Sequence, residues 1–380
     1  GSKTIFIMKK SILAIALAIY AILPKYVQKA ILYTYPGIYD LKLFPYNTVE
    51  NGTPQPYKYD KNYNKAVIDE EKYKIFEELD AVSYLVTKNG KLIYEEYWDG
   101  STDSTHSNIF SCTKSIIGLL IGIAIDKGYI TTENDFASKY IPEWDKSYDP
   151  ITIKDLLTMS SGLYWNEGYA AMFSPTTELY YGEDLKNQVL SSEVVKRPGQ
   201  YHYYSSATTS ILGIILQNAT NMTVSEFASK YLWSQIGAEH DAYWSKDKED
   251  GIEKAYCCFY SNARDLARIG QLINNDGNWN GKQIISKEYL EKCLTPASYL
   301  IDENDSKVDY YGYQWWLLRY RGLDIKYARG LYGQYIISIP EKDIVIVRLG
   351  HKRDDVLIGD HVRDTYNYID IAIDICEGNN

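Results

Sequence analysis

Ser111-Cys112-Thr113-Lys114-Ser115-Ile116-Ile117-Gly118-Leu119-Leu120-Ile121-Gly122-Ile123-Ala124-Ile125 sets a Ser-x-x-Lys pair at the mouth of a long apolar run. If that run is a helix, Ser111 lies in its first turn and Lys114 returns to the same face one turn later, so hydroxyl and amine come within reach. Burial among aliphatic side chains favours a neutral amine. The helix N-terminus favours negative charge developing at the hydroxyl and at the oxygen it attacks. The pair then reads as a nucleophile beside its base. Two residues at fixed spacing recur by chance, and a second copy stands at Ser245-Lys246-Asp247-Lys248. That copy lies in a charged stretch with no apolar helix behind it, so nothing there depresses a lysine pKa. The competing reading of Ser111, a solvated Ser and Lys at a helix start, is decided by what the rest of the chain supplies.

Composition narrows the field. The 380 residues are 45% hydrophobic and 24% charged, enough for one large domain or two joined ones. A net charge of -10 argues against nucleic acid as a partner, since phosphate binding needs a basic face. Five cysteines, Cys112, Cys257, Cys258, Cys293 and Cys376, form no C-x-x-C or zinc spacing, so neither a disulfide framework nor a metal site is expected, and no cofactor is implied. No H-E-x-x-H and no G-x-S-x-G is present, which removes the common zinc-protease and α/β-hydrolase readings. The 38 tyrosines against 8 phenylalanines read as a chain that uses Tyr where Phe would serve.

Lys3, Lys9 and Lys10 precede the apolar segment Ile12 to Leu23, closed by Pro24 and Lys25, in the pattern of a signal-peptide n-region and h-region. The segment is short for a membrane span, and its small-residue cleavage sites, Ala14-Ile15-Ala16 and Ala16-Leu17-Ala18, fall inside the apolar run. Export is expected, with the segment either cleaved or retained as an anchor that associates with the membrane. The result is a periplasmic or membrane-anchored extracytoplasmic protein. A buried leading helix in a cytoplasmic protein is the alternative.

Further along, Glu70 to Leu79 reads as a helix. Val82 to Thr87 and Leu92 to Trp98 read as strands flanking the Asn89-Gly90 hairpin turn. From Ile151 to Trp233 the pattern is helical, with helices expected over Ile153 to Met159, Glu178 to Val195 and the runs Ser210 to Leu216 and Val224 to Leu232. Ala263 to Ile273 and Arg363 to Ile375 read as helices. Trp315 to Arg319, Tyr335 to Ile339 and Ile344 to Leu349 read as strands, the last two joined by the turn Pro340-Glu341-Lys342-Asp343. A sheet begins, helices are inserted and the sheet resumes, so one site at the seam of two lobes is expected.

A third proton-handling group comes from Arg197-Pro198-Gly199-Gln200-Tyr201-His202-Tyr203-Tyr204-Ser205-Ser206, where a Pro-Gly turn delivers Tyr204 just ahead of an apolar helix. Ser111-x-x-Lys114 followed by Tyr204-Ser205-Ser206 resembles the first two motifs of the serine β-lactamase and penicillin-binding-protein superfamily, in its class-C-like esterase and amidase branch. The resemblance runs from about Ala81 to Leu349. It is carried also by Ile151 to Leu163, by Pro198-Gly199 and by Asn262 to Gly270. Trp165-Asn166-Glu167 and Gly277 to Gln283 are similar to the branch that contains 6-aminohexanoate-dimer hydrolase.

The resemblance implies an α/β (α+β) fold of β-lactamase/transpeptidase type, an antiparallel sheet flanked by helices with an all-α lobe inserted. Residues 1–34 would be a leader or membrane-anchor helix and 35–380 the catalytic domain. Its α/β lobe would cover about 35–110 and 250–380, and its helical lobe about 111–249. The chain departs from the family at the third motif, where Ala328-Arg329-Gly330-Leu331-Tyr332-Gly333-Gln334 replaces Lys-Thr-Gly, and at Ser206, which replaces the asparagine of Tyr-x-Asn.

The implied mechanism is a two-step acyl transfer: Lys114 with Tyr204 takes the Ser111 proton, Ser111 attacks an ester or amide carbonyl, Tyr204 helps protonate the leaving group, and water releases the acyl-enzyme. Backbone N–H groups of Ser111 and of the strand edge near Gly333 and Gln334 would hold the oxyanion, with Gly330 and Gly333 allowing close approach. Ser206, Glu167 and Gln334 are further substrate-contact candidates. A solvated loop carboxylate is the competing reading for Glu167, and an ordinary strand residue for Gln334. Trp244 either caps the acyl pocket or packs. Three functions follow: a hydrolase of a small ester or linear amide; a D-Ala-D-Ala-type peptidase or β-lactamase acting on cell-wall peptide or β-lactam; and a catalytically idle peptide-binding relative. The missing third-motif lysine favours the first.

Overall fold

The computed structural model describes residues 1–33, 35–168 and 174–378. Two helices lead, α1 (Ser2–Ile22) and α2 (Lys25–Tyr33), parted at Leu23-Pro24 because proline has no N–H to continue the ladder. The Gln28 amide turns back to donate to the Tyr20 carbonyl at 3.0 Å and the Leu23 carbonyl at 3.2 Å, satisfying orphan acceptors at the end of α1. α1 buries no residue and, at 21 residues with a mean hydropathy of 2.0, is long and apolar enough to cross a membrane; the sequence had suggested a shorter segment. α2, by contrast, buries Val27 and Ala30.

The chain continues through β1 (Tyr46–Val49), α3 (Glu70–Glu78), β2 (Ala81–Lys88), β3 (Lys91–Tyr97), β4 (Ser107–Asn108) and α4 (Cys112–Asp126). Asn89 and Gly90 both take positive φ, as a tight hairpin turn requires. A helical stretch follows, with α5 (Ile153–Leu157), α6 (Pro175–Tyr181), α7 (Leu185–Leu190), α8 (Ser206–Thr220) and α9 (Val224–Tyr231). The single helix expected over Glu178 to Val195 is two, because Gly182 leaves α6 in an extended conformation and Val194 pairs with Leu163 in an isolated bridge. Then come β5 (Ala242–Ser245), β6 (Phe259–Ser261), α10 (Ala263–Asn274), the small hairpin β7 (Asn278–Trp279) and β8 (Lys282–Gln283), and α11 (Lys287–Cys293). The chain ends with β9 (Trp316–Tyr320), β10 (Leu323–Gly330), β11 (Gln334–Ile339), β12 (Ile344–Gly350), β13 (Leu357–Ile358), β14 (His361–Val362) and α12 (Arg363–Glu377).

The main sheet is antiparallel, in the order β3-β2-β12-β11-β10-β9. Its central strands are buried on both faces, and alternation along each strand feeds two cores. Ile336, Val345 and Val347 pack toward α4 and α10, while Ile337, Ile344 and Ile346 pack toward α12. β10 was not foreseen, although Leu323, Ile325 and Tyr327 alternate with Asp324 and Lys326 as a half-buried strand requires. A second sheet, β1-β5-β6-β4, is built from strands of two to four residues, too short to show a period. It carries the chain into Ser111 through the pairs Ser107–Ser261 and Asn108–Tyr260.

The cysteine reading needs one correction: the adjacent Cys257 and Cys258 are bonded to each other. Cys112, Cys293 and Cys376 are free and buried. Trp244 packs in the core with its indole N–H on the Lys254 carbonyl, so it caps no pocket.

Candidate active site

α4 is a deeply enclosed helix, with every residue from Cys112 to Ala124 buried. Ser111 is its N-cap residue, yet its side chain caps no backbone N–H. The hydroxyl is instead 2.7 Å from Lys114 Nζ, and the same ammonium or amine donates to the Tyr256 carbonyl at 3.1 Å. The expected pair is thus in direct contact, one turn apart, at the buried start of an apolar helix.

The approach to Ser111 is held under tension. Phe110 is buried with φ of 47°, a conformation costly for a bulky L-residue and most often found where function requires it. Asn108 fixes this turn: its Oδ1 accepts from Phe110 N at 2.8 Å and from Cys258 N at 3.1 Å. Phe259 N donates to Thr113 Oγ1 at 3.3 Å. The segment 256–259 therefore grips α4 at Lys114, at Thr113 and, through Asn108, ahead of Ser111. Sequence reasoning missed Tyr256 and Asn108 because the first acts through a backbone carbonyl and the second through a turn.

Tyr204 comes from the far side, immediately ahead of Ser205, whose Oγ caps α8 by accepting from Thr208 N. The Tyr204 ring centroid lies 4.8 Å from Lys114 Nζ, and the ring packs near Trp316 and Tyr311. Among the described residues no hydrogen bond occupies its hydroxyl. Ser206, the first residue of α8, meets Glu167: the carboxylate accepts from Ser206 N, in a short contact, and from Ser206 Oγ at 2.9 Å. A carboxylate at a helix N-terminus is well placed electrostatically. Burial nevertheless raises the Glu167 pKa above the ordinary carboxylate value, against the pull of the Lys114 charge and the Ser206 donors. The structure so joins two candidates that lie 39 residues apart.

The strand edge sorts the remaining candidates. A Cβ on Gly330 would stand 2.2 Å from the Ile109 carbonyl oxygen and 3.2 Å from Ser111 N, so only glycine lets β10 run so close to the backbone entering Ser111. Gly333 lies elsewhere, in the β10–β11 turn with φ of 81°, its carbonyl accepting from Arg348 at 2.9 Å. Gln334 is fully buried; its amide donates to the Leu331 and Gly350 carbonyls and accepts from Gly350 N. It braces the turn from within. Arg329, which the sequence reading did not single out, lies with its guanidinium carbon 3.7 Å from the Trp316 ring centroid.

This geometry can deliver a proton from Ser111 to a base, hold negative charge at a helix start and offer a phenol to a departing group. Comparisons with known proteins identify the family and the fold. The family model described as Beta-lactamase matches residues 74–365. Over 293 residues the chain is 26% identical to 6-aminohexanoate-dimer hydrolase of Paenarthrobacter ureafaciens, covering 72% of this chain and 73% of that protein. Among solved structures, a Bacillus anthracis protein provisionally assigned as a 6-aminohexanoate-dimer hydrolase superposes with a TM-score of 0.77 at 23% identity, covering 91% of this chain and 94% of the other. A family VIII carboxylesterase superposes with a TM-score of 0.64 at 17% identity, over 84% and 99%.

Proposed function

The chain belongs to the beta-lactamase family and is a serine hydrolase, and from that premise we propose that it cleaves small esters or linear amides through an acyl-enzyme on Ser111. The observation that carries this reading is the 2.7 Å contact between Lys114 Nζ and Ser111 Oγ at the start of a buried helix. Lys114 accepts the hydroxyl proton as Ser111 attacks, and the Tyr256 carbonyl fixes the amine in place. The tetrahedral oxyanion is held by Ser111 N together with backbone at the Gly330 end of β10, which lies against Ser111. Each such donor is worth about 3 kcal/mol of barrier. Tyr204 protonates the leaving group, and water then attacks the acyl-enzyme with the same residues working in reverse.

The preference for esters and linear amides over penicillins rests on Ala328-Arg329-Gly330 standing where penicillin-recognising relatives carry Lys-Thr-Gly. Labelling with a fluorophosphonate, release of p-nitrophenol from short esters and acylation by a fluorescent penicillin test the reading together. Wild type should label at Ser111 and hydrolyse esters while Ser111→Ala does neither. An unlabelled wild type would sink the mechanism, and rapid penicillin acylation with slow release would point to cell-wall peptide instead.

The N-terminal apolar helix is compatible with a signal sequence or an anchor. Within this reading the N-terminal segment acts as an export signal, cleaved or retained, with Lys3, Lys9 and Lys10 kept on the cytoplasmic side and the enzyme outside. Carbonate extraction and protease protection of cells expressing the chain check that orientation.

A further inference from the structure

Cys257 and Cys258 are neighbours in the chain, bonded to each other and buried. Such a bond closes a small ring around the peptide unit between them and takes rotational freedom from both backbones. Cys258 stands in the left-handed region with φ of 71°, where a residue with a Cβ seldom settles unaided. The polar contacts that this segment makes around Ser111 are all main-chain on its own side. Phe259 N donates to Thr113 Oγ1 at 3.3 Å, and the Phe259 carbonyl accepts from Ile109 N at 3.0 Å. Cys258 N donates to Asn108 Oδ1 at 3.1 Å, and the Tyr256 carbonyl accepts from Lys114 Nζ at 3.1 Å. Ser111 is thus flanked, before and after it in the chain, by residues that 256–259 hold.

The contact with Lys114 bears directly on the chemistry. A carbonyl can only accept, so it engages an N–H of the amine and leaves the nitrogen lone pair to face Ser111 Oγ, 2.7 Å away. Lys114 is buried, and among the described residues Ser111 and Tyr256 are its hydrogen-bond partners. A main-chain carbonyl is aimed by backbone dihedrals alone. The ring of Cys257 and Cys258 begins at the very next residue, so the covalent restraint lies where it can set that aim.

We propose that the Cys257–Cys258 bond is a positioning device for the catalytic base: closed, it aims the Tyr256 carbonyl at Lys114; opened by a dithiol, it frees Cys258 from its left-handed conformation and takes that carbonyl off the amine. In the opening step the dithiol is oxidised to its own disulfide and the Cys257–Cys258 bond breaks. The two cysteine sulfurs end as thiols, carrying the two protons that the dithiol gives up. The inference rests on the Ser111 and Lys114 reading above and adds its regulation: the enzyme is idle in a reducing cytoplasm and competent in an oxidising compartment, where such bonds persist. That order suits a chain whose N-terminal helix is compatible with a signal sequence.

The full chain is assayed for p-nitrophenyl acetate turnover and for fluorophosphonate acylation, before and after reduction with dithiothreitol. Alkylation in denaturant followed by mass measurement should count three thiols before reduction and five after it. Reduced wild type should lose about 10- to 100-fold in kcat and in acylation rate, with KM within about twofold, and regain both on reoxidation with oxidised glutathione. Cys257→Ala, which cannot form the bond, should show the same loss without reductant and no further change with it. Adding Cys258→Gly to that variant should restore most of the rate, because glycine takes a positive φ unaided, and the double variant should ignore reductant. A bond that only stabilises the fold would instead lower the melting temperature and leave the rates of the folded protein unchanged. Five thiols before reduction, equal acylation by the oxidised and reduced chains, or a wild-type rate in Cys257→Ala overturns the assignment. Failure of oxidised wild type to acylate at all sinks the Ser111 mechanism. The two failures are distinguishable because opening of the turn is read without turnover, as a change in tryptophan emission: Phe259 packs on Trp233 and Trp244 with ring centroids 5.3 and 5.2 Å away. Unchanged emission on reduction also overturns the assignment.

Discussion

Among the described residues no partner occupies the Tyr204 hydroxyl, which stands beside a lysine already committed to Ser111 and to a backbone carbonyl, so the phenol, and not the amine, is the group left to meet a leaving group. Tyr204→Phe keeps the ring packing against Trp316 and removes only the proton. Its kcat should fall by about 10²- to 10³-fold with KM little changed, measured by steady-state ester hydrolysis. Glu167 bears on pH. Because burial raises its pKa in the fold, the protonated carboxyl is favoured there; stability is whole below the ordinary carboxylate pKa and is lost as pH rises through the elevated one. Glu167→Gln, with nothing to ionise, should therefore gain on wild type in chemical denaturation as pH rises and match its pH dependence only in acid. The contact between Ser111 and Lys114 was legible from spacing and the apolar run, because i and i+3 on a helix meet, while its reading as a site also needed Tyr204 and the family motifs. The Glu167–Ser206 contact was not, since a loop and a helix start 39 residues apart carry no mutual period. Gln334 looked like a site contact from its place in the motif, but its side chain faces inward and is consumed by Leu331 and Gly350.

At the scale of elements, the close passage of β10 past α4 defines the reaction centre. Gly330→Ala would drive a Cβ into the Ile109 carbonyl, so either β10 retreats from Ser111 or the turn at Phe110 moves. Such overpacking costs about 1–3 kcal/mol, and the expected outcome is a lowered thermal midpoint together with a fall in kcat larger than the stability loss explains. Labelling rate by fluorophosphonate against melting temperature measures both. The long periodic helices and the Asn89-Gly90 hairpin were readable because each has its own local signature. β10 was readable too, since Leu323, Ile325 and Tyr327 alternate strictly with Asp324 and Lys326, but that period was passed over. The second sheet escaped for a different reason: β4 is a strand only by virtue of β6, and its pairing through Ser107 and Asn108 is a tertiary fact.

For the whole molecule, the two leading helices should behave differently when removed. Deleting residues 1–23 takes away only an exposed helix, so the enzyme should leave the membrane fraction and keep its melting temperature and kcat. Deleting 1–34 also strips Val27 and Ala30 from the body, and loss of one buried valine alone costs about 2 kcal/mol; the melting temperature should drop. Acid weakens the fold through His361, bonded to the Tyr327 hydroxyl beneath α12 and lowered to about 4 by burial and by the Arg329 charge. A depressed histidine contributes fully above its unfolded pKa of about 6.5, and that contribution, about 3 kcal/mol, is lost as pH falls toward 4. His361→Asn should start less stable at neutral pH yet show a flatter acid limb in urea titrations between pH 6.5 and 4. The enclosure of α4 has a bearing on how such a protein can change. A helix with no residue from Cys112 to Ala124 facing water offers natural variation no neutral positions, so altered substrate range must arise in the loops around it. Under random mutagenesis with selection for a new ester, accepted changes should concentrate between 161 and 201 and spare the helix entirely.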